Sequence, residues 1–190
     1  MRVISQASFK LISRTGKVLS RGIFTNRAAV MAPIKVGDTL PSVDLFEGNP
    51  GGKVNTKEAF GKGKHVIFSI VGAFTPTCQA EQFPTFVADI EKMKSKGVKS
   101  VNCVSVNDPF VMDAFGKALS AGGKVRCLAD TCGAFTKAIE MELDLAAVLG
   151  NVRSKRYVMV VEDGKVKAIK VEADSTKATC SRSTDVLALL

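Results

Sequence analysis

The chain is predicted to fold as one mixed α/β domain over residues 32–190, with a central sheet flanked by helices. Three observations predict it. Apolar, β-branched runs of strand length recur at residues 65–71, 98–106, 125–129, 156–161 and 165–171. Segments of helical spacing lie between the first of these runs. A length of 190 residues, 46% hydrophobic and 24% charged, is enough to bury one sizeable core.

The first 31 residues stand apart. They hold Arg2, Lys10, Arg14, Lys17, Arg21 and Arg27 and no acidic residue, which leaves 21 of the 27 basic residues against all 18 acidic ones, a balance of +3. The overall charge of +9 therefore belongs mainly to this segment, and the near-neutral body does not call for a nucleic-acid partner. Lys10, Arg14, Lys17 and Arg21 fall on one helical stripe, with Ile4, Leu11, Val18 and Leu19 on another sector. A basic amphipathic segment with serines and no carboxylates reads as a mitochondrial targeting presequence, residues 1–31. Met31-Ala32-Pro33 also allows a shorter, cytoplasmic form. The ending Ala188-Leu189-Leu190 is not a Ser-Lys-Leu signal, so a peroxisomal location by that route is disfavoured. No apolar run reaches the ~20 residues that span a bilayer, and no membrane partner is expected.

Within the body, Gly48-Asn49-Pro50-Gly51-Gly52 reads as a loop on the way into the fold. The run 65–71 is the first strand, and Phe83, Val87, Ile90 and Met93 then recur at helical spacing. A second strand over 98–106, a helix over 110–119, a third strand over 125–129 and further helix over 135–149 follow. The strands 156–161 and 165–171 meet at Asp163-Gly164, a strong hairpin signal, and pair antiparallel.

Five cysteines in so long a chain (Cys78, Cys103, Cys127, Cys132 and Cys180) do not resemble a disulfide scaffold. With one histidine and no Cys-x-x-Cys, no metal or cofactor is expected. Cys78 lies just after a buried strand and where the next helix should begin, so free backbone N–H groups and the positive helix end favour its thiolate. Pro76 suits the helix start, and Thr75 offers a hydroxyl to the sulfur or to a peroxide oxygen. A thiolate so placed can attack a peroxide and become a sulfenic acid. By position alone, a small buried structural thiol remains an equal reading.

Gly72-Ala73-Phe74-Thr75-Pro76-Thr77-Cys78, followed by Val104-Ser105-Val106-Asn107-Asp108-Pro109-Phe110-Val111-Met112, resembles the peroxiredoxin family, and most closely its atypical two-cysteine branch, the peroxiredoxin-5 type. The likeness runs from Ala32 to Ser181, with motifs in order. It implies a thioredoxin-like fold and thiol-dependent reduction of hydrogen peroxide, alkyl hydroperoxides and peroxynitrite. It further implies that Cys78 is the peroxidatic cysteine, with Thr75 and Arg156 completing the site and Cys180 resolving the sulfenic acid as an intramolecular disulfide, which thioredoxin then reduces. A homodimer is the assembly it suggests. Cys103 is the rival resolving residue, although its strand position favours core packing, as does that of Cys127. Arg153 reads as a solvated loop charge or as a partner one layer behind the site. The family has proline where this chain has Val71, so the shielding of the sulfur is expected to differ.

Readings of other classes stay in view. A Cys–His hydrolase would need His65 as base beside Cys78. A thioredoxin-type oxidoreductase would need a second cysteine at Thr75. A binding or chaperone module would need no reactive thiol.

Overall fold

The computed structural model describes residues 32–190; the expected presequence, residues 1–31, lies outside the described residues. A seven-stranded sheet runs in the order β2-β1-β5-β4-β3-β8-β9, with β1 Asp44–Glu47, β2 Lys53–Asn55, β3 Lys64–Ser69, β4 Val98–Ser105, β5 Val125–Ala129, β8 Tyr157–Glu162 and β9 Lys165–Val171. The three central strands β5, β4 and β3 are parallel, and β8, β9, β1 and β2 join them antiparallel. The mixed α/β expectation is met, and so are the five strands read from the sequence, to within two residues at each end.

Those strands were legible because both faces of the sheet are covered, so the central strands read as continuous apolar runs. Alternation assigns the faces. Val66, Phe68, Val101, Cys103, Val158 and Val160 enter one buried cluster, with Cys78, Phe83, Phe86 and Phe115. Ile67, Val104, Tyr157, Met159 and Val161 enter the other, with Leu45, Phe60 and Phe135. Between β8 and β9, Asp163 (φ 50°) and Gly164 (φ 75°) both take the left-handed conformation that a two-residue hairpin requires. The loop read at residues 48–52 is itself a turn, between β1 and β2, two short strands that the sequence did not announce.

Two helical expectations are corrected. The segment 135–149 is not one helix: α5 Ala134–Ala138 stops at Glu140 (φ 55°), β6 Glu142–Asp144 follows, then α6 Ala146–Leu149. Local helix propensity is overridden by tertiary pairing of β6 with β7 Val152–Ser154, while Leu143, Leu145 and Leu149 pack against the first core cluster. The helix after Cys78 is also interrupted. It starts at Pro76, passes through a π-helical turn at Cys78–Gln82, continues as α2 Phe83–Ala88, and breaks at Asp89 before α3 Ile90–Ser95. Pro84 at the start of α2 has no N–H to give, and Phe83 N–H reaches back five residues to the Cys78 carbonyl. The widened turn leaves Cys78 and Gln82 both fully buried. The remaining helices are α1 Thr56–Phe60, α4 Pro109–Ala118 and α7 Ser183–Leu187.

Candidate active site

β3 delivers the chain to the site. After Ser69, Ile70 N–H donates to the Val104 carbonyl at 3.2 Å, and the chain turns through Gly72–Thr75, closed by Thr75 N–H to the Gly72 carbonyl at 3.3 Å. Phe74 takes φ 61° in that turn, an uncommon conformation for an aromatic residue, and sets its ring edge-on to Phe115 at 5.3 Å. Ala73 N–H is held by Asn107 Oδ1 at 3.1 Å, which also accepts from Ser105 Oγ at 2.8 Å. The turn is thereby anchored to the end of β4.

Three of the four expected site residues come together here. Arg156 precedes β8, whose Tyr157 pairs with Ser69 at the end of β3, so the antiparallel register brings residue 156 beside the exit from β3. Its Nη1 lies 3.3 Å from Cys78 Sγ and also donates to Gln82 Oε1, while Nε donates to the Ser175 carbonyl at 3.1 Å. Arg156 is 1% exposed and enters no ion pair among the described residues. The guanidinium is thus held among the Cys78 sulfur, the Gln82 amide oxygen and the Ser175 carbonyl. Thr75 stands at the mouth, where its hydroxyl donates to the Gly72 carbonyl at 2.8 Å rather than to the sulfur. Its oxygen lone pairs remain to accept a hydrogen bond.

A cleft of about 640 Å³ leads to this point. Val71, Leu143, Leu145 and Leu149 form its apolar wall, and Thr75, Arg156 and Ser175 its polar end. Val71, where the family has proline, is 9% exposed, lines this cleft and belongs to the same core cluster as Cys78.

Cys180 is placed separately. It is half-buried on the segment after β9, and Glu172 holds that segment by accepting from Cys180 N–H at 2.8 Å, Thr179 N–H and Oγ1 at 2.7 Å, and Ser181 Oγ at 2.7 Å. Burial and the nearby Glu172 charge push the Cys180 thiol up. Burial alone would raise the Glu172 carboxyl, but the hydrogen bonds from residues 179–181 outweigh it and hold the carboxyl below its usual range. Both cysteines are free thiols in the structure. Gln82 Nε2 bridges the two regions, donating to the Ser69 carbonyl at 3.3 Å and the Ser181 carbonyl at 3.1 Å.

The rivals are sorted by their surroundings. Cys103 is fully buried in β4 and its thiol is pushed well up by burial, and further by Cys127 and Cys78. Cys127, its register partner on β5, is pushed up to about 12, chiefly by burial. His65 sits at the start of β3, the end away from Cys78, with Nδ1 2.8 Å from Ser100 Oγ and Nε2 3.1 Å from the Lys62 carbonyl. It is no base for Cys78, and Thr75 is no second thiol, so the hydrolase and thioredoxin-type readings lack their residues. Arg153 is not a solvated loop charge. Its Nη1 donates to the Val106 carbonyl at 2.8 Å and Nη2 to the Leu149 carbonyl at 3.3 Å, which puts it one layer behind Gly72. Gln82 and Glu172 were missed. Gln82 is four residues after Cys78, a spacing that places both on one helical side, whereas Glu172 in a non-periodic loop gave no signal.

A buried cysteine at a helix start, countered by a buried arginine on a thioredoxin-like sheet, defines a thiol-dependent peroxidase. Comparison with known proteins says the same. The Redoxin family matches residues 35–187. Peroxiredoxin-2B of Arabidopsis thaliana is 40% identical over 163 residues, 84% of this chain and all of that one. Peroxisomal membrane associated protein 20 of Schizosaccharomyces pombe is 39% identical over 83% of this chain and 99% of its own length. Among solved structures, peroxiredoxin 5 from Alvinella pompejana superposes with a TM-score of 0.76 at 36% identity, covering 83% of this chain and 97% of that one. Reduced Prx3 from Vibrio vulnificus in complex with H2O2 gives 0.78 at 38%, covering 83% and 99%. The chain belongs to the Redoxin family and, within it, to the peroxiredoxins.

Proposed function

We propose that Cys78 is the peroxidatic residue and that Cys180 resolves it. The observation that carries this reading is the buried Arg156 guanidinium 3.3 Å from Cys78 Sγ with no carboxylate paired to it among the described residues. The Cys78 thiolate attacks the O–H oxygen of hydrogen peroxide, an alkyl hydroperoxide or the acid form of peroxynitrite; the S–O bond forms as the O–O bond breaks, the sulfur keeps that O–H as a sulfenic acid, and the displaced hydroxide or alkoxide takes a proton from water to leave as water or alcohol, or nitrite leaves as the anion. Arg156 holds the sulfur's charge and polarises the O–O bond, while Thr75 accepts a hydrogen bond from the attacked O–H through its free lone pairs and orients it. The apolar cleft wall suits an alkyl substituent.

The Cys180 thiol then attacks the Cys78 sulfenic acid, forming the disulfide and releasing water, and a dithiol such as thioredoxin returns both thiols. The cycle uses no metal or cofactor. Because Cys78 is fully covered and Cys180 is tied to Glu172, this step requires the first turn around Cys78 to loosen and the latch to open. One observation favours a second route through Cys103, which shares the Cys78 core cluster. Its deep burial makes it the slower nucleophile.

Stopped-flow peroxide consumption followed by peptide mapping tests the reading. Cys78→Ser is expected to abolish turnover, and wild-type protein to yield a Cys78–Cys180 disulfide. Retained activity in Cys78→Ser overturns the first claim; a Cys78–Cys103 disulfide overturns the second.

We also propose that residues 1–31 direct the protein to the mitochondrial matrix, with a shorter cytoplasmic form starting near Met31, and that the mature domain, residues 32–190, forms a homodimer. Phe74, 49% exposed, packs edge-on against Phe115 of α4, and Phe110 of the same helix is 62% exposed; exposed aromatic side chains on and against α4 suit a second copy. Import into isolated mitochondria and sedimentation of Phe110→Lys test the two statements.

A further inference from the structure

Cys132 is an exposed thiol that the proposed cycle does not use. It lies in the turn that follows β5, and that turn is firmly built. Asp130, 2% exposed, accepts from Phe135 N–H at 3.0 Å and Thr136 N–H at 2.8 Å, and Gly133 N–H donates to the Asp130 carbonyl at 2.9 Å. Gly133 takes φ 67°, which its lack of a side chain permits.

Beside Cys132 is a cleft of about 320 Å³ that Val106, Thr136, Lys137, Glu142 and Asn151 also line. Thr136 is 1% exposed, and its hydroxyl has no hydrogen-bond partner. Buried hydroxyls are nearly always paired, and an unpaired one is costly, so this one marks a place for a polar group from outside. Lys137 is exposed and enters no ion pair among the described residues. Glu142, also exposed, supplies the opposite charge across the same cleft.

We propose that this cleft is a site of reversible thiolation, where Cys132 exchanges with the disulfide of a small peptide thiol that carries both carboxylate and ammonium groups. The Cys132 thiolate attacks one sulfur of the disulfide, the S–S bond breaks, and a new S–S bond joins Cys132 to that half. The other half leaves as a thiolate and takes up the proton that Cys132 lost. The small disulfide is the oxidant, and no other is required. Thr136 donates its hydroxyl to a peptide carbonyl, Lys137 takes the carboxylate and Glu142 the ammonium.

The test incubates the reduced full-length protein with oxidised glutathione or with cystamine, quenches in acid and maps adducts by mass spectrometry. Each rate at Cys132 is divided by the rate at the same peptide in the denaturant-unfolded chain. Oxidised glutathione is expected to react at least fivefold faster than cystamine on this scale. Lys137→Glu is expected to remove that preference, and Thr136→Val to slow the glutathione adduct at least threefold while leaving the fold at least as stable. Equal normalised rates for the two probes, or an unchanged glutathione rate in Thr136→Val, overturn the proposal. Lys137 is on the surface, so its variant decides the question even if Thr136→Val fails to fold.

Discussion

Glu172 holds Cys180 by its main chain: the carboxylate accepts Cys180 N–H at 2.8 Å and, with three further bonds from Thr179 and Ser181, fixes the whole residue 179–181 turn. The thiol that the proposed cycle must move is thus tethered next to a negative charge, and burial first and that charge second push it up. Glu172→Gln is expected to weaken this latch, with a stability loss of about 1–3 kcal/mol. It is also expected to speed formation of the Cys78–Cys180 disulfide several-fold. Quenched-flow mass spectrometry and thermal melts read the two effects separately, and a slower disulfide would show that the latch aligns Cys180 rather than restrains it.

The resolving step should depend on pH through the same pair. Because the Cys180 thiol is raised, its thiolate is scarce at neutral pH and the step should quicken as pH rises, up to tenfold per unit while the thiol remains mostly protonated. Glu172 works in the other direction on stability. Its folded-state carboxyl is depressed, so the stabilisation is present above the ordinary carboxylate range and is lost as pH falls through the lower folded value. Glu172→Gln should flatten the stability profile and move the rise of the resolving step to lower pH without changing its slope.

Gln82 and Arg156 form a second testable pair. Gln82→Leu leaves the buried Arg156 Nη1 without its oxygen acceptor and removes donors to the Ser69 and Ser181 carbonyls. A loss of about 2–3 kcal/mol in stability is expected, with a peroxide rate lowered roughly tenfold or more. Gln82→Glu preserves the shape but offers Arg156 a carboxylate, which competes with the sulfur as counter-ion. It should lower the second-order rate with hydrogen peroxide even where the fold is intact. Stopped-flow rates at matched thermal stability separate the charge effect from misfolding.

Arg156→Lys keeps one positive charge but loses the planar fork that reaches Cys78, Gln82 and Ser175 together. Peroxide reactivity should fall about 100-fold or more. Arg153→Lys, which loosens only the Val106 and Leu149 carbonyls behind the site, should cost less than tenfold.

His65 gives an acid-side signature unrelated to catalysis. Burial holds it below the usual imidazole range, with Lys99 and Arg126 adding to the effect against the Lys62 carbonyl and Asp163. The unfolded chain therefore binds the proton first, and stability should decline as pH falls below ~6.5, stopping once the folded imidazole also protonates. Thermal melts from pH 7.5 to 5.5 should show a drop in wild type that is smaller in His65→Gln.

Much of the architecture was legible because its cause is local or repetitive. Apolar strands buried on both faces announce themselves, and Asp163-Gly164 announces its hairpin. Segment 135–149 misleads because nothing local records that β6 must pair with β7 or that Leu143, Leu145 and Leu149 are needed at the cleft. The π-helical turn was hidden for a related reason. Its origin at Pro84 is visible, but the inward rotation of Gln82 depends on having Arg156 to meet.

The sequence by itself placed Cys78 after a buried strand at a helix start, with Thr75 three residues before it, because both follow from short-range geometry; only its resemblance to the peroxiredoxins singled that cysteine out as the proposed reactive one. Only the tertiary structure decided what that cysteine faces. Arg156 is 78 residues away and reaches the sulfur because β8 pairs antiparallel with β3, placing Tyr157 opposite Ser69. Glu172 is likewise distant from Cys78 yet governs the segment that carries Cys180. Charges and latches of this kind depend on distances in space, and those distances are set by the register of the sheet.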